Sequence, residues 1–316
     1  MTDSRKSALE GIRVVDFGWA WAGAVCGQVL ADYGAEVIKI ESRTRLDPMR
    51  TGRPIIGDTP DPEQNPIASN VNRNKLSLTV NLKNTQAIEI VHRLIKHSDV
   101  VIENLSVGAL ERLGLGYSKL VEKNKEIIMV SLPAAGRSGI FSKLRSYGPT
   151  INGLSGLDSL LGYEGEPPIG FQNAFGDPNV GLHAAVAVLA ALRHKRLTGK
   201  GQYIETSQLQ AILPMMGEAL ADYFMNERTR QSEDNIRPNF APYGTYPTNE
   251  SDKWISIAVG SDEEWCSLCH VMGREDLETD PRYLSLKYRH QNRDSLDSAI
   301  EQWTIQMEMR ETASLL

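Results

Sequence analysis

The chain has 316 residues, 41% of them hydrophobic and 23% charged, with a formal net charge of -6; this is the composition of an ordinary globular protein, and it argues against a nucleic-acid partner, which usually requires a basic face. Its length allows one large domain or two ordinary ones. The only cysteines, Cys26, Cys266 and Cys269, are too few for a disulfide framework, residues 1–10 are polar, and no run approaches the roughly 20 apolar residues of a membrane span, so the expectation is a cytoplasmic protein with no membrane association.

In chain order, residues 12–17 form a short β-rich run and residues 18–23 a loop of small residues and Trp. Residues 24–33 have helical spacing, with Val25, Val29 and Leu30 on one stripe and Gly34 placed as a C-cap. Residues 36–41 are the next strand, and a strand–helix–strand unit of this length implies a parallel pair with a right-handed crossover. Residues 43–74, rich in Pro, Gly and Asn, read as a long loop of the functional kind. Residues 76–82 read as a strand, 85–97 as an amphipathic helix, 100–103 as a strand, a helix follows near Ala109, and 127–131 is a strand. This alternation predicts an α/β fold with a doubly wound, Rossmann-like parallel sheet as the large domain. Ligands of such sheets bind at the carboxyl ends of the strands, here the loops after Phe17, Glu41, Glu103 and Ser131. Residues 133–149 are a basic loop, 165–178 a Gly/Pro-rich loop, 179–193 a helix, 202–205 a strand and 207–225 a helix. The composition turns polar at residues 226–239. We therefore expect a large domain over residues 1–225 and a smaller α+β domain over 226–316, with strands at 243–247 and 254–259 and helices at 263–272 and from Arg293.

Asp177, in Phe175-Gly176-Asp177-Pro178-Asn179, has the signature of a helix start: Asp as N-cap and Pro at the first helical position. The same physics permits a functional reading. A helix N-terminus favours an anion, an ionised carboxylate can act as a covalent nucleophile, and Gly176 lets a substrate approach. Cys266-Ser267-Leu268-Cys269-His270 matches a haem-attachment pattern but lies in an apolar helical stretch, so it reads as helix core; zinc lacks a second ligand pair. The histidines are scattered, and none pairs with Ser or Cys in a hydrolase motif. Gly18, Gly23 and Gly27 do not have nicotinamide-binding spacing, and no Walker motif is present. Arg43, Arg50, Asn72, Arg73, Asn74, Lys75, Asn104, Arg112, Lys143 and Arg145 each read as solvated surface; gathered at one sheet edge they suit a ligand with several phosphates.

Several segments together resemble the class III coenzyme A transferases, the family of formyl-CoA transferase and crotonobetainyl-CoA:carnitine CoA-transferase. They are residues 9–17, 30–41, Asn72-Arg73-Asn74-Lys75 with the following strand, 101–104 with 108–114, Gly176-Asp177 with its helix, 198–202, Ala241-Pro242-Tyr243-Gly244 and Asp280-Pro281-Arg282-Tyr283. The resemblance spans nearly the whole chain. It implies that Asp177 is the nucleophile, passing through a mixed anhydride and an aspartyl-CoA thioester. It implies a coenzyme A site built from Lys75, Asn104, Leu105 and Arg112, with Asn74 beside them and Arg145 and Tyr147 upstream of Asp177, and Arg43 and Arg50 near the nucleotide phosphates. Acyl-CoA and a carboxylic acid are then substrates, no tightly bound cofactor or metal is expected, and the subunits form an interlocked homodimer.

Some features depart from that pattern. Trp21 stands where formyl-CoA transferase has glutamine, and no glycine-run loop occupies residues 235–241, which turns the expectation away from formyl and oxalate substrates. Trp19, Trp21 and Ile169-Gly170-Phe171 imply a roomier or more apolar pocket than formate needs. Family members run longer, so a shortened chain is expected. The alternatives are an α-methylacyl-CoA racemase, which needs an acid/base pair such as His with Asp at the α-carbon that residues 147–156 lack, and a non-catalytic CoA-binding subunit of a heteromeric transferase.

Overall fold

Six hydrophobic runs become the six strands of one parallel sheet: β1 (Arg13–Asp16), β2 (Glu36–Glu41), β3 (Lys75–Thr79), β4 (Val100–Glu103), β5 (Ile128–Ser131) and β6 (Tyr203–Glu205). The structure, a computed structural model, describes residues 7–54, 56–57, 61–163, 165–232 and 236–316. Part of the polar N-terminus, part of the long loop and the start of the 235–241 segment therefore lie outside the described residues. The strand order is β3-β2-β1-β4-β5-β6 with every neighbour parallel. This is the doubly wound order expected, and it puts the switch point between β1 and β4.

The central strands are continuous apolar runs because both faces are covered. Alternate residues go to opposite faces. Val14, Val100, Ile102, Ile128 and Val130 pack with the helices Ala22–Asp32 and Gly176–Thr198, while Val15, Val101 and Met129 pack with Val91 and Ile95 of the helix Thr85–Lys96. Each such side chain is fully buried, and removing one from water stabilises the fold by roughly 1.5–3 kcal/mol.

Three stretches differ from the sequence reading. The loop at 43–74 contains short helices at Pro48–Thr51 and Pro66–Val71, started by Asp47 and Asn65 as N-caps with proline just inside. The stretch read as one helix from 207 is interrupted: Gln208–Ile212 gives way to a 3-10 turn at Leu213–Met216, containing Pro214, before Gly217–Asn226 resumes. Proline in a helix interior removes a hydrogen bond and crowds the preceding turn. A helix at Gly148–Ser155, unforeseen, closes the basic loop.

The chain divides into two compact units, residues 1–162 with 166–232, and residues 163–165 with 233–316; composition had put the boundary after Met225. In the second unit, β7 (Tyr243–Pro247) and β8 (Trp254–Ala258) pair antiparallel, and Trp265, Leu268, Cys269, Leu296 and Ile300 form its core. Arg289 is fully buried there, donating to the carbonyls of Ala241 (2.7 Å) and Tyr283 (3.1 Å) and to Asp262 (2.8 Å). One side chain thus ties together the two short motifs recognised in this unit.

Candidate active site

The helix Gly176–Thr198 begins earlier than its sequence suggests. Phe175, at the N-cap position, already has helical angles and its own side chain makes no capping bond, and Asp177 lies inside the first turn. The N-cap reading of Asp177 is therefore corrected. A capping residue needs non-helical backbone angles to turn its side chain back on the amides, and a residue within the helix cannot do so. Asn152, from the neighbouring helix, takes the role instead. Its Oδ1 accepts from the Gly176 N–H at 3.2 Å, and its Nδ2 donates to the Asn173 carbonyl at 2.9 Å. The cap comes from elsewhere in the chain, and the Asp177 carboxylate is left for other contacts.

Those contacts are two donors. Gln208 Nε2 donates to Asp177 Oδ1 at 2.7 Å, and the Gly148 N–H donates to the same carboxylate. Asp177 is 8% exposed. Burial pushes its carboxyl up to about 6, against the pull of both hydrogen bonds. The expectation that the helix terminus keeps it firmly ionised is thus outweighed by desolvation. At neutral pH the anion still dominates by roughly ten to one, with raised basicity. Gly176 serves packing rather than access: it is buried, and a Cβ there would lie 3.1 Å from Ile212 Cδ1. Gly148 is the close approach, because a Cβ there would lie 2.6 Å from Ala174 Cβ and 2.9 Å from Asp177 Oδ2.

Gln208 stands just beyond β6, at the carboxyl edge of the sheet. At that same edge, between β1 and β4, the loop after β1 is held by buried polar groups. Asp16 Oδ1 accepts from the Gly18 N–H at 2.6 Å. Asp47 accepts from the Ala20 N–H at 3.1 Å. Asn104 takes the Trp19 N–H at 2.6 Å and donates to the Trp19 carbonyl at 2.8 Å. The Arg45 guanidinium lies 3.9 Å from the centre of the Trp19 ring. At the ends of β4 and β5, Glu103 is buried against Ser131 Oγ, the Leu105 N–H (2.9 Å) and Arg137 (3.1 Å), and burial pushes its carboxyl up.

The residues expected around a phosphorylated ligand fall into two groups. Lys75 is committed internally: its ammonium donates to Asp16 (2.9 Å) and to the Ala24 carbonyl (2.8 Å), with its side chain 1% exposed. Arg50 is paired with Glu41 at 2.7 and 2.8 Å. Asn74, with φ +60°, donates to Asp32 at 2.8 Å. Asn104 clamps Trp19, and Leu105 packs half-buried beside the second face's core. By contrast Arg43, Arg112, Arg145 and Tyr147 are exposed and have no side-chain partner among the described residues. Gln208, Gly148, Asn152 and Glu103 were missed. A glutamine after a strand or a glycine before a proline carries no pattern of its own, and each acquires its place only through the tertiary fold. Among the described residues no group of three or more His, Cys, Asp or Glu could hold a metal ion, and no helix is long and apolar enough to cross a membrane.

The family model described as CoA-transferase family III matches residues 9–316. The chain is 32% identical over 304 residues to succinyl-CoA–D-citramalate CoA-transferase of Chloroflexus aurantiacus, covering 94% of this chain and 73% of that protein. It is 33% identical over 293 residues to succinate–glutarate CoA-transferase of Agrobacterium fabrum, covering 92% and 73%. A crystal structure of a CAIB/BAIF family protein from Brucella suis superposes with a TM-score of 0.88 at 30% identity, covering 98% of this chain and 82% of that one.

Proposed function

This chain belongs to CoA-transferase family III, and on that premise we propose that it transfers coenzyme A from an acyl-CoA to a carboxylic acid through covalent intermediates on Asp177. The observation that carries the reading is the state of Asp177: a buried carboxyl pushed up to about 6, relieved of capping by Asn152 and oriented by two donors. A buried, oriented carboxylate of raised basicity is what nucleophilic catalysis at neutral pH asks for.

Asp177 attacks the thioester carbonyl, an O–C bond forms, and the C–S bond breaks with its electron pair leaving on the thiolate. The thiolate then attacks the Asp177 carboxyl carbon, expelling the donor acid as its carboxylate and leaving an aspartyl-CoA thioester. The acceptor carboxylate attacks that carbon and releases the thiolate, which in turn attacks the acceptor acyl carbon and frees Asp177. No step needs an added proton or oxidant, and each displacement is easier than a direct exchange.

For the coenzyme, Arg43, Arg112 and Arg145 are exposed cations with no side-chain partner among the described residues and suit phosphates, with Tyr147 a flanking contact, while Lys75, Asn74, Asn104 and Arg50 act by holding the loops and Leu105 lines the wall. The name of the Chloroflexus relative supports succinyl-CoA as donor, and both names support a short dicarboxylic acid as acceptor. Racemisation is disfavoured by the site: the partners of Asp177 are an amide and a backbone N–H, and His183 is turned to the Asn179 carbonyl of its own helix. A dimer of like chains is part of the same reading, supported by the exposed stripe Leu182, Val186, Leu189 and Leu197 on the long helix; light scattering that finds only monomer contradicts it.

Incubation with succinyl-CoA followed by intact-mass measurement tests the function. A covalent adduct in the wild type and none in Asp177→Ala is expected. Acceptor turnover with no adduct, or an adduct retained in the variant, overturns the assignment.

A further inference from the structure

We propose that Gln208 is a positioning residue that fixes Asp177 Oδ1 as the carbonyl oxygen retained through every covalent intermediate, so that only Oδ2 is exchanged with substrate. The inference rests on the Asp177 reading above.

The two oxygens of a carboxylate are equivalent by resonance, and their surroundings alone decide which one attacks. Here the surroundings differ. Gln208 is 6% exposed, and its backbone is tied to the loop after β5: its N–H donates to the Pro133 carbonyl and the next N–H to the Ala134 carbonyl, each at 3.0 Å. Ser207 caps the short helix that starts there, accepting from the Gln210 N–H at 3.2 Å. The amide therefore stands on a fixed post, and its bond to Oδ1 at 2.7 Å is buried. Oδ2 faces Gly148, 2.9 Å from where a Cβ would stand, and Gly148 lies between the exposed Tyr147 and Pro149. Oδ1 is thus the inner oxygen and Oδ2 the one toward the exposed segment. Exchanging them requires rotation about Cβ–Cγ with both donors released together in a buried site, which leaves polar groups unpaired.

The chemistry follows from this asymmetry. Oδ2 forms the bond to the donor acyl carbon as the C–S bond breaks. When the thiolate attacks the Asp177 carboxyl carbon, the electron pair moves onto Oδ1, where Gln208 Nε2 already donates; a preorganised donor at the oxygen that gains charge is the arrangement that favours such a step. Collapse breaks the bond to Oδ2, which leaves in the donor acid. The acceptor carboxylate then supplies a new oxygen at that position, and Oδ1 gains and loses charge again without leaving.

The test uses the full chain with succinyl-CoA and a pool of succinate and glutarate whose carboxylates carry the heavy stable isotope of oxygen. After many turnovers the peptide bearing Asp177 is weighed. The wild type is expected to plateau at one heavy oxygen on Asp177, however long the reaction runs, while Gln208→Met, close in shape but without a donor, climbs toward two. Gln208→Leu, which likewise has no donor, is expected to climb in the same way and serves if the first variant does not fold. Two labels in the wild type overturn the proposal without any variant. One label in both the wild type and the Gln208 variants removes Gln208 from the role. Turnover with no label on Asp177 sinks the aspartyl mechanism itself and this proposal with it, and no turnover at all sinks the proposed function, so the failures are distinct.

Discussion

Asp177→Asn should stabilise the fold at neutral pH while removing its covalent chemistry. Burial raises the carboxyl from 3.8 to about 6, and about two pH units correspond to roughly 3 kcal/mol between the ionised and neutral forms. The sign follows from proton counting. Between those values the folded chain holds a proton that the unfolded chain has released, so stability falls as pH rises from about 4 to about 6 and stays reduced above that. The new amide never ionises and avoids this cost. It can also keep its contacts, because Gln208 Oε1 is buried without a partner among the described residues and the Gln208 amide can turn to accept from it. Urea denaturation of the wild type and the variant across this range isolates the effect, since the other titrating groups cancel in the difference. The gap between them should be smallest at about pH 4 and widen by roughly 3 kcal/mol by about pH 8. A gap that does not change with pH would refute the claim that burial dominates at Asp177.

Three further outcomes follow from the same geometry. Because the anion is the reactive form, kcat/KM should rise with pH and level off above about 6, falling roughly tenfold per unit below it; a profile flat down to about pH 4.5 contradicts the raised carboxyl. Gly148→Ala puts a methyl 2.6 Å from Ala174 Cβ and 2.9 Å from Oδ2, and a displacement of this size should lower kcat by about a hundredfold, measured by steady-state turnover. Lys75→Met leaves Asp16 buried without its ion-pair partner and should cost about 3–5 kcal/mol, whereas Asp16→Asn combined with Lys75→Met should recover much of that; denaturation curves read both, and a Lys75→Met chain of wild-type stability with only a raised KM for acyl-CoA would assign Lys75 to the ligand instead.

The strands were legible because both faces of the sheet are covered, so Val100, Val101 and Ile102 had to be apolar in succession, and the run said so. The doubly wound order followed from the alternation of strands and helices. The site was less legible for reasons that are physical. Asp177-Pro178 has the local chemistry of a cap, yet Asn152, far away in sequence, does the capping, and only the family resemblance singled out the aspartate. Lys75 reads as a ligand cation because its acid, Asp16, lies on another strand; the sheet brings them together, and a pairing across strands is invisible until the topology is known. Arg50 is only nine residues from Glu41, and it is the turn of the loop after β2 that brings its guanidinium back onto that carboxylate. Gln208 and Gly148 owe their meaning entirely to what the fold places next to them.

The most direct measurement is peptide mapping after reaction with succinyl-CoA and quenching with hydroxylamine, which converts an activated carboxyl to a hydroxamate. One hydroxamate is expected on Asp177, formed only when the acyl-CoA is present and lost in Asp177→Ala, as the aspartyl mechanism requires. A hydroxamate on another carboxylate such as Glu103, or acceptor turnover with Asp177 unmodified, would contradict it.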